Sequence, residues 1–326
     1  MNPSVTTPME VATFGAFNWG PVLEGLDCTV SQVDDSTSAE GEEVLRRASI
    51  LIGDKNREIQ IGLHEFGLLA RPAFVQQPCV GVDNVDLKVA AQLGVVVANV
   101  RGANVDAVAD WVLMALLVAE RHGVDADHAV RSGDWHAHSA DTGTFAKQFR
   151  GRDLAALKVG IVGMGAIGRG VVKRLLGFGT SVGFSDPFVK VQEGCAAMEL
   201  DALLSWADAV TVHVPLEAAT FHLLDRDRLK SLRQGAVLVN SSRGSIIDQE
   251  ALVELVDQGH FRSVALDVYE EEPLPPASPL MRMGNVYLSP HVAGETHTAD
   301  NNIMTIVRAN CEKFITGQQV THVVTG

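Results

Sequence analysis

The feature that most constrains the fold is an apolar run that ends in a glycine-rich turn and continues into a helix-like segment. Val159–Val162 opens directly into Gly163-x-Gly165-x-x-Gly168. Gly163 permits a tight turn, Gly165 lets the backbone approach a ligand, and Gly168 lets a helix pack closely on a strand. Free amides and the helix dipole at such a helix start attract phosphates. The segment therefore predicts a strand, turn and helix that bind a dinucleotide.

A second predicted strand places a carboxylate at the distance from this turn that a dinucleotide site requires. Thr180–Asp186 reads as a strand ending in Asp186, which follows Gly168 by 18 residues. An acidic residue about 20 residues past the glycines binds the ribose hydroxyls of NAD. A 2′-phosphate would meet this carboxylate as a like charge, at a cost of up to about 4 kcal/mol. The spacing favours NAD over NADP, and the alternative is that Asp186 only caps the turn before Pro187.

Composition describes an ordinary globular protein with an acidic surface. The 326 residues predict about two domains, and 46% hydrophobic with 20% charged residues suffice for a large core. A net charge of −14 argues against nucleic acid or an anionic membrane as partner. The four cysteines lack metal-ligand spacing and predict free thiols in a reducing cytoplasm, and no signal peptide is visible at the amino terminus.

Strand-like and helix-like segments alternate in the first half, which is typical of a parallel α/β sheet. Strands are predicted at Glu10–Phe14, Ala48–Gly53, Phe74–Gly81 and Gly94–Asn99, and helices at Ile59–Leu69 and Val85–Leu93. Ser31–Glu43 is predicted to be a loop running into a helix start, and Gly133–Arg152 to be irregular. Asn104–Arg121 predicts a helix that is apolar nearly all round, which must be buried between domains or between subunits.

Polar residues follow several predicted strands of the second half, where ligands of doubly wound sheets bind. Arg243 follows the strand Ala236–Asn240, Asp267 and Glu272 follow the next strand, and His291 follows the last. Arginine offers a bidentate fork to a carboxylate, and histidine exchanges a proton near neutral pH. A carboxylate beside the histidine orients the ring and favours its charged form. A hydride acceptor that bears a carboxylate requires these three residue types.

The chain resembles the D-isomer-specific 2-hydroxyacid dehydrogenases, which include 3-phosphoglycerate, glyoxylate, D-lactate and formate dehydrogenases. The resemblance covers nearly the whole chain. It rests on Val80–Asp86, Asn104–Asp110, the glycine turn, Asp186, His213–Leu216, Asn240-x-x-Arg243–Gly244 with Asp248, Asp267–Pro273 and Pro290–His291-x-x-Gly294.

The resemblance implies a role for each of these positions. The implied catalytic residues are Arg243, Glu272 as the acid paired with the histidine, and His291 as general acid and base. The residues implied to bind the substrate carboxylate are Arg243 and the loop Cys79, Val80 and Gly81. The residues implied to bind the cofactor are Gly163, Gly165, Ala166, Ile167, Gly168, Asp186, His213, Val214, Pro215, Thr220, Ser241, Ser242, Asp267 and Gly294. Within that set, Asp267 is expected near the nicotinamide carboxamide.

The implied fold is α/β, with two Rossmann-like or flavodoxin-like doubly wound parallel-sheet domains and a cleft between them. Residues 1–103 plus 297–326 form the expected substrate domain, and residues 104–296 the NAD domain. The helix at 104–121 usually belongs to a two-fold interface, so a homodimer is expected. No metal is expected.

The predicted activity is a cytoplasmic, NAD-dependent interconversion of a small D-2-hydroxy acid and its 2-oxo acid. One alternative is an NAD(H)-sensing, corepressor-like interaction protein on the same scaffold. Another is a phosphite or formate dehydrogenase, and formate enzymes of this family carry glutamine where Glu272 stands. Lys55 and Arg57 follow a strand that lines the family's cleft, and an ordinary solvated helix start is slightly favoured for them over a substrate contact.

Overall fold

The computed structural model describes residues 8–56 and 58–324. This part of the chain divides into two compact units. The first combines the residues up to Asn104 with those from Thr296 onward, and the second is Val105–Glu295. Each unit is built on a parallel sheet, which confirms the predicted α/β fold class. No helix among the described residues is long and apolar enough to cross a lipid bilayer.

The first unit contains five parallel strands in the order β2-β1-β3-β4-β5. The strands are β1 Met9–Thr13, β2 Cys28–Gln32, β3 Ala48–Ile52, β4 Phe74–Gln76 and β5 Val96–Ala98, and the helices are α1 Gly20–Leu23, α2 Ala39–Arg47, α3 Leu63–Leu68, α4 Leu87–Gln92 and, from the end of the chain, α13 His297–Ile315. Leu51 packs in the apolar cluster of Phe66, whereas its neighbour Ile50 packs in that of Val307 in α13. Helices therefore cover both faces of this sheet.

Strand β2 and the short helix α1 were not predicted from the sequence. Strand β2 is the more informative of the two. It lies at the edge of the sheet and pairs only with β1. Its residues Thr29 and Ser31 donate hydrogen bonds to the carboxylate of Glu10 on β1. Such an edge strand buries little apolar surface and shows no hydrophobic pattern. Its last two residues, Ser31 and Gln32, lie in the stretch that was predicted to be a loop, and the rest of that stretch runs as predicted into a helix start at Ala39.

The second unit contains seven parallel strands in the order β12-β11-β10-β9-β6-β7-β8. The strands are β6 Lys158–Val162, β7 Ser181–Ser185, β8 Cys195–Ala197, β9 Ala209–Val212, β10 Ala236–Asn240, β11 Phe261–Leu266 and β12 Val286–Leu288. The helices are α5 Val105–Arg121, α6 Gly123–Arg131, α7 Asp134–Ala137, α8 Thr142–Lys147, α9 Ala166–Gly177, α10 Leu200–Trp206, α11 Arg226–Ser231 and α12 Gln249–Asp257, with short 3-10 helices at Ser139–Asp141, Leu154–Ala156, Gly244–Ile246 and Pro279–Arg282.

The strand order of this sheet reverses between β6 and β9, which lie side by side at its centre. Val237 and Val239 of β10 face the apolar cluster of α5 and α9, whereas Leu238 faces the cluster of α11 and α12. Both faces are therefore covered, as in a doubly wound fold. The reversal marks the crevice at the carboxyl ends of the strands, where such sheets bind ligands.

The long helix α5 is more one-sided than predicted. Trp111 and Leu116 are buried in the core of the second unit. On another side of the helix, Asp106 and Asp110 are exposed and both pair with Arg174 of α9, at 3.0 and 2.6 Å. Most of α5 therefore packs within its own unit.

The stretch predicted to be irregular, Gly133–Arg152, contains the short helices α7 and α8. That prediction was wrong because these helices are almost entirely exposed and carry no apolar periodicity. Local polar contacts hold them instead. The Asp141 carboxylate caps α8 by accepting a hydrogen bond from the amide of Thr144 at 3.1 Å.

Candidate active site

The glycine turn has the geometry that a bound dinucleotide needs. Gly163 has a φ of +96°, and a Cβ there would lie 2.6 Å from the His213 carbonyl oxygen. A Cβ on Gly168 would lie 2.2 Å from the Gly163 carbonyl oxygen, so close packing of α9 requires glycine. A Cβ on Gly165 would meet no heavy atom within 4 Å. Open space therefore remains above Gly165, where α9 begins at Ala166 with its first amides free of a side-chain cap.

Asp186 lies beside this turn, at the end of β7. One carboxylate oxygen accepts the amide of Met164 at 2.7 Å, and the other accepts those of Phe188 and Val189 at 2.8 and 2.9 Å. Burial alone would raise its pKa, but these three amides and the charge of Lys190 hold the pKa of Asp186 below its ordinary value. Asp186 therefore both fixes the loop and presents a carboxylate to the site.

His213 follows β9 and carries a neutral imidazole. Its Nε2 lies 2.6 Å from the Thr211 hydroxyl oxygen, and burial lowers the pKa of His213 to about 3. Thr220 ties the loop that follows, because its hydroxyl donates to the Pro215 carbonyl at 2.6 Å. His213 is thus a structural and hydrogen-bonding residue of this loop and carries no charge at neutral pH.

The end of β10 offers an unused polar group at the same edge of the sheet. The hydroxyl oxygen of Ser241 is buried and has no hydrogen-bond partner within the described residues. Its neighbour Ser242 donates to the Val214 carbonyl, and Asn240 holds the turn by donating to the Arg243 carbonyl at 2.9 Å. A polar ligand atom would satisfy Ser241. Together with the open space above Gly165, this residue set fits NAD.

Two of the predicted catalytic residues meet. His291 Nδ1 and Glu272 Oε2 are 2.8 Å apart, and the two side chains are 30% and 35% exposed. The other Glu272 oxygen accepts the Tyr269 amide at 3.0 Å, which fixes the carboxylate. The imidazole and the carboxylate therefore share a hydrogen bond, and both remain accessible to solvent.

Glu270, in the same segment, has different partners. Oε1 of Glu270 lies 2.9 Å from Nε2 of His222. The same carboxylate accepts a hydrogen bond from the amide of Gln249. Glu270 therefore joins neighbouring loops of the second unit. Sequence reasoning had no signal for His222, whose partner lies 48 residues away.

Asp267 contacts the loop of residues 289–294 that carries His291, here called the histidine loop, and it is fully buried. Its carboxylate accepts hydrogen bonds from the Ser289 hydroxyl at 2.5 Å and from the amides of Val292 and Ala293, both at 2.8 Å. Burial raises the pKa of Asp267, while these three donors and nearby His291 oppose that shift. Ser289 was not singled out from the sequence, and its place two residues before His291 was the only available signal.

In the first unit, the predicted substrate loop follows β4. The Cys79 thiol donates to the Gly81 carbonyl at 3.1 Å and accepts from the Gln77 side chain at 3.2 Å. The Val80 carbonyl accepts from the Asn99 side chain at 2.7 Å. These contacts make the loop a defined turn at the carboxyl edge of its sheet.

The two basic residues after β3 have different outcomes. Nζ of Lys55 lies 2.6 Å from a carboxylate oxygen of Asp300 in α13. Lys55 therefore forms an ion pair, whereas an ordinary solvated position was favoured for it. Arg57 lies outside the described residues.

Known proteins resemble this chain over most of its length. The sequence model of the D-isomer specific 2-hydroxyacid dehydrogenase NAD binding domain matches residues 113–293, more than half of the chain. A glyoxylate reductase of Korarchaeum cryptofilum is 35% identical over 248 residues, covering 75% of this chain and 73% of the relative. A D-3-phosphoglycerate dehydrogenase of Archaeoglobus fulgidus is 34% identical over 75% of this chain, which spans 46% of that longer protein.

Solved structures share the fold over nearly the whole length. A Thermus thermophilus protein is 31% identical with a TM-score of 0.84, covering 96% of this chain and 99% of the other. The D-lactate dehydrogenase of Aquifex aeolicus, solved with NAD and lactic acid, has a TM-score of 0.84 at 22% identity, covering 97% and 99%. The matched NAD domain confirms NAD as the cofactor. The chain belongs to the D-isomer-specific 2-hydroxyacid dehydrogenase family.

Proposed function

We propose that this protein interconverts a small D-2-hydroxy acid and the corresponding 2-oxo acid with NAD. The observation that carries the proposal is the contact of 2.8 Å between His291 Nδ1 and Glu272 Oε2. It lies in the unit that holds the glycine turn and Asp186. An imidazole paired with a carboxylate supplies and removes the proton that accompanies oxidation of a hydroxyl group.

The contact with Glu272 assigns the roles of the two ring nitrogens. Because a carboxylate only accepts hydrogen bonds, Nδ1 of His291 is the donor to Glu272. Nε2 is then the atom that gives a proton to the forming hydroxyl oxygen during reduction and takes it back during oxidation. Glu272 stabilises the imidazolium and fixes the plane of the ring. General acid–base help of this kind contributes about 10²- to 10⁴-fold in rate.

The remaining residues of the proposed site bind and orient the substrate. Arg243 has a planar guanidinium that suits a carboxylate or the adjoining carbonyl oxygen, and the family resemblance gives it this role. The resemblance also assigns substrate binding to the loop Cys79, Val80 and Gly81 of the first unit. Bound NADH supplies the hydride that reduces C2 of the 2-oxo acid.

The test is NADH oxidation with a panel of 2-oxo acids: glyoxylate, pyruvate, hydroxypyruvate, phenylpyruvate, 2-oxoisocaproate and 3-phosphohydroxypyruvate. Wild-type protein should turn over one or more of them, and His291→Ala should lose about 10²-fold or more in kcat. Binding of NADH, measured by fluorescence, should survive in His291→Ala. His128→Ala, which changes an exposed histidine of α6, is the matched control.

Two results would overturn the proposal. Near-normal turnover by His291→Ala would remove the histidine from the mechanism. Silence of the wild type across the panel, with NADH still bound, would favour an NAD(H)-sensing protein or a substrate outside the 2-oxo acids.

We further propose a homodimer formed through α5 and a cytoplasmic location. Helix α5 keeps Met114 39% exposed beside the half-buried Leu113 and Leu117, so it offers apolar contact area. All four cysteines are free thiols, which suits a reducing compartment. Light scattering of the wild type and of Met114→Glu tests the dimer, and an unchanged mass in the variant would count against this interface.

A further inference from the structure

The backbone of His291 is held in a conformation that histidine rarely adopts. Its φ is +55°, in the left-handed region. Non-glycine residues in that region are strained and persist where surrounding contacts fix them. The direction of the His291 side chain depends on this backbone, so whatever fixes the backbone also aims the imidazole.

The contacts that fix it converge on Asp267. The His291 amide donates to the Asp267 carbonyl at 2.9 Å. The amides of the next two residues, Val292 and Ala293, donate to the two oxygens of the Asp267 carboxylate. The hydroxyl of Ser289, on the other side of the histidine, donates to the same carboxylate at 2.5 Å. Asp267 therefore binds the chain on both sides of His291.

Sheet pairing puts these groups side by side. Strands β11 and β12 are parallel neighbours, and Leu266 stands opposite Leu288. The residues that follow, Asp267 and Ser289, are therefore adjacent at the carboxyl ends of the two strands. The hydroxyl of Tyr269 adds a second link by donating to the Ser289 carbonyl at 2.9 Å.

We infer that Asp267, with Ser289, is a positioning residue that holds His291 in its left-handed conformation and so aims the imidazole at Glu272. The inference rests on the proposed function of His291. It differs from the carboxamide contact that the family resemblance implies for Asp267. A carboxylate has about four acceptor positions, three are used here, and the residue has no exposed surface.

A cofactor analogue separates the two roles. In Asp267→Asn, one amide of the histidine loop loses its acceptor, because the new NH₂ group cannot accept. We expect kcat to fall about ten- to a hundredfold, since misplacing a catalytic group by about 1 Å costs this much. The reduced acetylpyridine analogue of NADH lacks the carboxamide nitrogen. The positioning role predicts the same fold-loss with NADH and with the analogue, and an unchanged NADH dissociation constant by fluorescence.

A carboxamide role predicts the opposite pattern. Asp267→Asn would then weaken NADH binding and lose more activity with NADH than with the analogue, and this result would overturn the inference. If His291→Ala itself keeps its turnover, the proposed function fails. If His291→Ala is inactive while Asp267→Asn keeps its kcat, only the positioning role fails.

Ser289 provides a second test that does not disturb the buried charge. Ser289→Ala removes the hydroxyl donor, whereas Ser289→Thr keeps it. We expect a lower kcat with little change in KM for the alanine variant, and recovery in the threonine variant. Equal kcat values for wild type and Ser289→Ala would overturn the role of the hydroxyl, even if Asp267→Asn proved too unstable to assay.

Discussion

Acid should destabilise this protein through the neutral imidazole of His213. Burial lowers the pKa of His213 to about 3 in the folded chain, whereas an unfolded chain leaves a histidine near about 6.5. Between these values the unfolded state binds a proton that the folded state excludes. The stability from this group is therefore fully present above about pH 6.5 and is lost progressively as the pH falls toward about 3.

The size of the effect follows from the two pKa values. A pH of about 5 lies roughly 1.5 units below the pKa of the unfolded histidine. Protonation of the unfolded state then lowers the free energy of unfolding by about 2 kcal/mol. His213 remains partly exposed, which lets water stabilise the charged form. We therefore expect about 1–2 kcal/mol at this pH.

The assay is urea unfolding followed by circular dichroism at about pH 7.5 and about pH 5, with wild type and His213→Gln. The glutamine cannot take up the proton but can still hydrogen bond to the Thr211 hydroxyl, which lies 2.6 Å from the imidazole. Other titrating groups change the unfolding free energy of both proteins equally, so their contribution cancels when the two are compared. The wild type should lose about 1–2 kcal/mol more than the variant between the two pH values. Equal losses would refute the reasoning.

Three further predictions concern other parts of the second unit. Gly168→Ala should lower the unfolding free energy by about 1–3 kcal/mol, because its Cβ would lie 2.2 Å from a backbone carbonyl oxygen. Gly165→Ala should leave urea unfolding unchanged and weaken NADH binding, and equal effects of the two variants would contradict this. Arg152→Met should lower the unfolding free energy by about 1–3 kcal/mol, since Arg152 binds the fully buried Glu120 through contacts of 2.6 and 2.9 Å. Arg262, 3.6 Å from the same carboxylate, still offsets part of its charge. Wild-type stability of that variant would count against the pairing. Asp186→Ser should raise kcat/KM for NADPH relative to NADH about tenfold or more, and an unchanged ratio in steady-state kinetics would remove Asp186 as the selector.

Much of the dinucleotide site could be predicted from local sequence. The positive φ of Gly163 is a local backbone requirement, and Gly168 packs against the Gly163 carbonyl five residues before it, so the glycine spacing carries this information. The close approach of Gly163 to the His213 carbonyl is a long-range contact that the spacing does not contain. Strand β2 could not be predicted, because only its pairing with β1 makes it a strand. Helices α7 and α8 were missed because an exposed helix needs no apolar periodicity.

The catalytic pair shows the other limit of prediction. The sequence and its family resemblance named His291 and Glu272, which are 19 residues apart. Their contact and the left-handed backbone of His291 became visible only in the folded chain.

The sequence by itself determined the α/β fold class, the NAD turn and the preference for NAD, because each follows from periodicity, glycine placement and one carboxylate at a fixed spacing. Only the tertiary structure decided what Asp267 contacts. Its partner Ser289 is 22 residues away, and the parallel pairing of β11 with β12 brings the two together. Distant residues meet through sheet register, which depends on the packing of the whole unit, and no local pattern encodes that.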